Sequence, residues 1–301
     1  MAPGLWLLTS CVRPVPADCP EPESAMVPSE DAAEGGDAPA AEGAPLDRNA
    51  AIELTHPGCF MLLPLDGGEP LVAGEQSCDE ATIPASTFKV PHALIALDTG
   101  VVGDPEAMVK WDGREYWLDS WERDHNLRSA IYHSVVWFFQ GTARAIGPER
   151  MAEYLRAFDY GNASVDPIDQ FWLEGGSLRV TPAQTLRFWA DLYRARLPRG
   201  AAHLPQLRAM LVRPPSSFAG RMEEGTAVPE VSPQMIFSAK TGTGGHEKGS
   251  VFWLAGHVEC PGREHVFVSR VIAQGRPRSI SPAVTHGLAA LGRLGVLRCE
   301  S

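Results

Sequence analysis

Ser86-Thr87-Phe88-Lys89-Val90-Pro91-His92-Ala93-Leu94-Ile95-Ala96-Leu97-Asp98 is the stretch whose reading decides the fold. It is apolar on nearly every face, which predicts a helix buried on all sides and stopped by Gly100. Pro91 inside it is expected to cost one backbone hydrogen bond and to bend the helix. A lysine in such a helix needs a purpose, because an amine taken out of water must be paired, modified or functional. Residues three apart share a helix face, so the Lys89 amine reaches the Ser86 hydroxyl. A serine alcohol is a weak nucleophile until a base takes its proton, and this spacing supplies one.

On the N-terminal side of this helix, Cys59–Leu65 and Pro70–Ala73 are apolar runs around Asp66-Gly67-Gly68, the pattern of a β-hairpin. Downstream, Leu127–Ala145, Pro148–Phe158 and Pro182–Arg196 carry helical spacing, and a loop rich in Gly, Asn, Asp and Pro runs from Tyr160 to Gly176. Strand character returns at Met235–Thr241, Gly249–Val258 and His265–Ala273, the last two joined through Cys260-Pro261-Gly262. Residues 281–295 read as a closing helix. Strands at both ends with helices between them predict an α+β fold, an antiparallel β-sheet with helices packed on both faces.

Hydrophobic residues make up 44% of the 301 and charged residues 21%, ordinary values for a globular chain with a sizeable core. The net charge of −11 argues against a nucleic-acid partner, which needs a basic face. Most of that charge sits outside the expected domain: residues 12–48 hold nine acidic side chains against Arg13 and Arg48, with seven prolines. Such a segment cannot bury enough apolar surface to offset its ordering entropy, so 12–48 is expected to be a disordered acidic tether ahead of a catalytic domain spanning 49–301. Residues 1–11 end in Leu8-Thr9-Ser10-Cys11, which resembles the end of a bacterial lipoprotein signal, with Cys11 as the lipid-bearing residue. A basic n-region is missing and the apolar core is short, as in a truncated signal. The expectation is an exported protein, periplasmic or anchored to the membrane through Cys11. No apolar run approaches the roughly 20 residues a bilayer span needs.

The six cysteines form no C-x-x-C pair, which gives zinc or thioredoxin-like chemistry no support, and no metal is expected. Cys59 and Cys78 flank the expected hairpin; a disulfide between them suits an oxidising compartment, and two separately buried thiols are the alternative.

Lys240-Thr241-Gly242-Thr243-Gly244 closes an expected strand. Glycine lets a ligand lie against the strand backbone, and the Lys and Thr side chains offer donors to an anion. Ser-x-x-Lys and Lys-Thr-Gly together are the signature set of penicillin-recognising serine enzymes. Between them stands Ser134-Val135-Val136, on the helix expected over 127–145. Class A β-lactamases and most penicillin-binding proteins have Ser-x-Asn at that point, whereas Ser-x-Val resembles the class D, or oxacillinase-type, serine β-lactamases. The likeness continues through Trp111-Asp112-Gly113, Trp121-Glu122-Arg123-Asp124, Tyr160-Gly161-Asn162 and Phe171-Trp172-Leu173-Glu174-Gly175, and covers about residues 50–297 in order.

The resemblance implies a transpeptidase-like fold and hydrolysis of β-lactams, small-molecule substrates, through an acyl-enzyme. Ser86 would attack the lactam carbonyl. Lys89, carboxylated on its amine by carbon dioxide, would be the general base, with no other cofactor needed. Ser134 would relay a proton to the leaving nitrogen, and Trp172 would hydrogen-bond the carbamate. Phe88 and Val136 would wall the lysine, and the backbone N–H groups of Ser86 and Thr243 would form the oxyanion hole. Lys240, Thr241, Gly242 and Thr243 would line the substrate site, with Arg278, or its neighbour Arg276, gripping the substrate carboxylate. His133 beside Ser134 suggests a Ser–His pair, but adjacent helix residues point apart. The rival of a different class is a β-lactam sensor domain, which shares these motifs and deacylates very slowly; the receptors that carry it also need membrane helices and a protease domain to pass the signal on.

Overall fold

The computed structural model describes residues 58–275 and 279–299. The readings made for residues 1–11, for the tether 12–48, for Cys11, and for Arg276 and Arg278 lie outside the described residues.

Among the described residues five strands form one antiparallel sheet in the order β2-β1-β5-β4-β3. They are β1 (Cys59–Pro64), β2 (Leu71–Ala73), β3 (Ile236–His246), β4 (Gly249–Cys260) and β5 (Arg263–Ala273). Among the described residues seven α-helices accompany them: α1 (Lys89–Asp98), α2 (Leu127–His133), α3 (Val136–Ile146), α4 (Pro148–Ala157), α5 (Pro182–Tyr193), α6 (Leu204–Leu211) and α7 (Pro282–Arg293).

The period-2 alternation of the strands explains why both faces are covered. On one face Cys59, Met61, Trp253, Ala255, Val266 and Val268 join a core shared with α5 and the other mid-chain helices. The residues between them, Phe60, Leu62, Leu254 and Phe267, point the other way and pack with Val284, Leu288 and Leu291 of α7. Register therefore fixes two cores at once: a one-residue slip of β4 or β5 would exchange them.

Three sequence expectations are corrected. The helix expected from Ser86 begins as a 3₁₀ turn over Ala85–Phe88, and the α-helix proper starts at Lys89. Pro91 then falls in the first turn, where the N–H has no intrahelical partner in any helix, so no hydrogen bond is lost. The helix expected over 127–145 is broken at Ser134, which adopts φ 60° and ψ 38° and caps α2; α3 begins two residues later. Lys240-Thr241-Gly242 lies inside β3 and not at its end, because Gly244 and Gly245 keep their pairing with Val251 and Ser250. The segment 201–221 also holds α6 and a 3₁₀ stretch over Pro215–Arg221 that the sequence reading did not separate.

The described residues hold two disulfides. Cys59–Cys78 closes the β1–β2 region, and Cys260–Cys299, which the sequence reading did not pair, ties the β4–β5 turn to the C-terminal end. The second spans 39 residues, so opening it releases a long loop of the unfolded chain. Cys299→Ser is expected to lower the unfolding free energy by about 2–4 kcal/mol. Urea titration of oxidised parent and variant, read by tryptophan fluorescence, measures the difference; coincident curves would remove this bond from the stability of the fold.

Candidate active site

The site is assembled where the 3₁₀ turn before α1, the break between α2 and α3, and the middle of β3 meet. Ser86 lies in the turn, and the side chain of Lys89, one turn on, comes back to it, with Nζ and Oγ hydrogen-bonded at 2.8 Å. The turn is held from both sides. Thr87 Oγ1 donates to Pro84 O at 2.6 Å, and the Trp253 indole of β4 donates to Ile83 O at 3.0 Å. β3 presses against it: a Cβ at Gly242 would lie 2.8 Å from Pro84 O and 3.1 Å from Thr87 N, so only glycine allows this approach.

The break at Ser134 supplies the third hydroxyl-bearing position. A non-glycine residue in the left-handed region costs about 1 kcal/mol and needs its surroundings to hold it there. Its N–H returns to Ala130 O and Ile131 O. Trp121 Nε1 donates to His133 O, and Trp137 Nε1 donates to Trp121 O, each at 2.9 Å. In this conformation Ser134 Oγ accepts from Lys240 Nζ at 3.0 Å, and Lys240 Nζ also donates to Thr241 O at 2.9 Å. A continuous helix over 127–145 would not leave this serine at a capping position.

Both lysines are buried. The Lys89 Nζ lies 5.7 Å from the Phe139 ring centre; Phe139 packs on His92, which joins Phe88, Phe171 and Trp172 in one cluster of edge-to-face and tilted rings. Burial lowers its pKa from 10.5 to about 7, so a large fraction of the amine is neutral near neutrality. His92, next to it, is lowered to about 3 by burial and by the Lys89 charge, and stays neutral. Lys240 is held well below the usual lysine range, by burial first and then by the charges of Lys89, Arg213 and Arg221. Among the described residues neither lysine has a carboxylate in ion-pair range.

These groups open into a cavity of about 320 Å³ lined by Ser86, Trp117, Leu118, Trp121, His133, Ser134, Val136, Leu173, Glu174, Arg221 and Thr241–Gly244. Trp172, packed on Phe88 and His92, is fully buried, with an indole N–H that has no hydrogen-bond partner. His133 lines the cavity, but its Nε2 faces the Arg123 guanidinium at 2.7 Å, and burial together with Arg123 keeps the ring below its ordinary pKa. It is therefore engaged by Arg123 and does not form a Ser–His pair. The sequence reading did not name Trp117, Leu118 or Arg221 as lining residues; Arg221 stands 19 positions before Lys240 with no motif around it.

The chain matches the family model of the penicillin-binding protein transpeptidase domain over residues 58–285. It is 38% identical over 182 residues to β-lactamase OXA-48 of Klebsiella pneumoniae, covering 60% of this chain and 62% of that enzyme. It is 35% identical to β-lactamase OXA-5 of Pseudomonas aeruginosa, covering 71% and 74%. Among solved structures, a class D β-lactamase from Bacillus subtilis superposes with a TM-score of 0.67 at 30% identity, over 80% of this chain and 92% of that one. The alignment to OXA-48 thus spans under two thirds of that enzyme's length.

The Lys89 environment has a consequence for stability. Free lysine titrates near 10.5 and the folded one near 7, so between these values the unfolded chain holds a proton that the folded chain lacks. Stability then drops as the pH falls through that window. Lys89→Met removes this proton. Its gain in unfolding free energy over the parent should grow as the pH falls from 10.5 to about 7 and level off below. Urea unfolding in carbon-dioxide-free buffer across that range measures the gap. A gap that does not change with pH would contradict a buried, neutral amine.

Proposed function

This chain belongs to the class D β-lactamase family, and we propose that it hydrolyses β-lactams through an acyl-enzyme on Ser86. The observation that carries this reading is the pair of hydrogen-bonded contacts Lys89–Ser86 and Lys240–Ser134, both meeting one cavity. The first pair joins a nucleophile to an amine that burial makes neutral and therefore able to accept a proton. Ser86 Oγ adds to the lactam carbonyl carbon as its proton passes to the base; the C–N bond then breaks, and the ring nitrogen takes a proton through Ser134. Lys240 holds the Ser134 oxygen in place for that transfer. The backbone N–H groups of Ser86 and Thr243 receive the carbonyl oxygen in this reading. Water then cleaves the ester.

We further propose that Lys89 is carboxylated on Nζ. The residues present fit the modification: an amine that burial makes in large part neutral, the Phe139 ring against it, and, in the same ring cluster, a buried Trp172 N–H without an acceptor, the kind of donor a carbamate oxygen would use. When present, the group supplies an oxygen base within reach of Ser86 and of the deacylating water.

The proposed setting is outside the cytoplasm of a bacterium, with Cys11 as a lipid anchor. Leu8-Thr9-Ser10-Cys11 supports it, and two disulfides suit an oxidising compartment. Among the described residues no helix is long and apolar enough to cross a membrane.

Ser86→Ala should lose both turnover of a chromogenic cephalosporin, by on the order of 10⁴-fold or more, and covalent labelling by benzylpenicillin. Mass spectrometry of the labelled protein reads the second loss. A mutant that still gains the mass of an opened β-lactam has another nucleophile, and stoichiometric labelling of the parent without turnover identifies a sensor instead of an enzyme.

For the carbamate, activity should rise with added bicarbonate and fall in degassed acidic buffer, and carbon-13 carbon dioxide should give a carbamate resonance that Lys89→Ala abolishes. Lys89→Ala should also leave any acyl-enzyme it forms long-lived. Bicarbonate-independent turnover with no such resonance would leave the unmodified amine as the base.

A further inference from the structure

Two polar atoms in the ring cluster beside Lys89 are buried without a hydrogen-bond partner, His92 Nδ1 and Trp172 Nε1. Unpaired buried polar groups are rare in folded proteins, and each calls for a reason. Here both belong to fully buried residues in contact, the two rings meeting edge to face with centres 5.4 Å apart. His92 stands one turn after Lys89 on α1, and residues three apart share a helix face. The Phe139 ring of α3 packs on both, 5.7 Å from Lys89 Nζ and 5.0 Å from the His92 ring centre. None of the acyl-transfer steps uses His92.

The other nitrogen of this ring is engaged. His92 Nε2 lies 3.1 Å from Thr142 Oγ1 of α3. A hydroxyl donates or accepts at such a nitrogen, and Thr142 Oγ1 has the Phe139 carbonyl at 3.1 Å as a second acceptor for its proton. His92 is neutral, so its ring carries one proton, and Thr142 allows that proton on either nitrogen. The group that Nδ1 meets decides between the two tautomers. A buried anion selects the one with the proton on Nδ1, because it needs N–H donors in place of lost water.

We propose that His92 Nδ1–H is a second donor to the carboxylated Lys89, beside the Trp172 N–H, and that Thr142 holds the ring in the tautomer this requires. The inference rests on the carboxylation of Lys89 proposed above. A carbamate carries two oxygens that accept, so two buried N–H groups with no other acceptor match it in number and in kind. Thr142 then donates its proton to His92 Nε2 in place of Phe139 O. A neutral imidazole suits this position better than a lysine or an arginine. It offers a donor without setting a second full charge beside an amine that must be neutral to react with carbon dioxide.

The test reads the modification itself and not turnover. The full chain, labelled with nitrogen-15 histidine, is titrated with carbon-13 carbon dioxide, and the carbamate resonance is followed in the parent, His92→Phe and His92→Asn. His92→Phe keeps a ring and removes the donor. It should need about 10–100-fold more dissolved carbon dioxide for half-loading, the scale of one hydrogen bond lost to a buried charged group. His92→Asn, whose amide nitrogen can stand where Nδ1 does, should recover part of that loss. In the loaded parent the His92 signals, identified by their absence from His92→Asn, should show a protonated Nδ1 and an unprotonated Nε2. Thermal melting separates a lost donor from a lost fold; should His92→Phe not fold, the nitrogen signals of the loaded parent decide. An unprotonated Nδ1 in the loaded parent, or unchanged half-loading in a folded His92→Phe, would overturn the assignment. A parent with no carbamate resonance refutes the carboxylation of Lys89 itself; a loaded parent matched by His92→Phe refutes only this inference.

Discussion

The rest of the site depends on a lysine amine buried under a serine. Taking a charged ammonium out of water is costly, and the cost is lowest when the amine gives up its proton. The surroundings of Lys89 favour that: burial lowers its pKa to about 7, the Phe139 ring against the amine offers no counter-charge, and His92 is itself held neutral. An amine that is in large part neutral near neutrality and bonded to a hydroxyl is a base next to its substrate proton. The aromatic core that stabilises the fold thus also sets the chemistry of Lys89, and a polar substitution in that core would alter both.

The second amine uses the same physics for another purpose. Lys240 is buried among like charges, which alone would be unfavourable, but it has two acceptors, Ser134 Oγ and Thr241 O. Ser134 is available because the chain breaks between α2 and α3 there. The strained conformation is held by a relay of indole hydrogen bonds, from Trp137 to Trp121 O and from Trp121 to His133 O. Stability contributed by ordinary buried tryptophans therefore maintains a local conformation that the isolated sequence would not choose.

The sheet acts as the fixed reference for these parts. β3 is an edge strand of the sheet, paired to β4 along its whole length, and the Trp253 indole of β4 reaches past it to Ile83 O just before the serine. The nucleophile turn, the Ser134 break and the Lys-Thr-Gly backbone come from three separated regions of the chain, and contact with this rigid strand brings them into a common frame. The disulfide from Cys260 to Cys299 braces the far end of β4.

Sequence by itself determined the chemistry-bearing residue types and the fold class. Spacing of three between Ser86 and Lys89 in an apolar helix implied a nucleophile with its base, alternation and turn residues implied the antiparallel strands, and the order of the motifs carried the family likeness. Those signals are local, set by helix and strand periodicity, and survive without knowledge of contacts. Tertiary structure alone decided the rest. The left-handed turn at Ser134 arises from tryptophans anchored 12 and 16 residues apart in sequence, and the helical periodicity of 127–145 conceals it. The Cys260–Cys299 pairing follows from where the C-terminal end returns to the sheet. Arg221 reaches the cavity because Ser281 and Thr285, 60 or more positions away, fasten its segment. No motif records such a contact, because it is set by packing between distant segments and not by the pattern of either one.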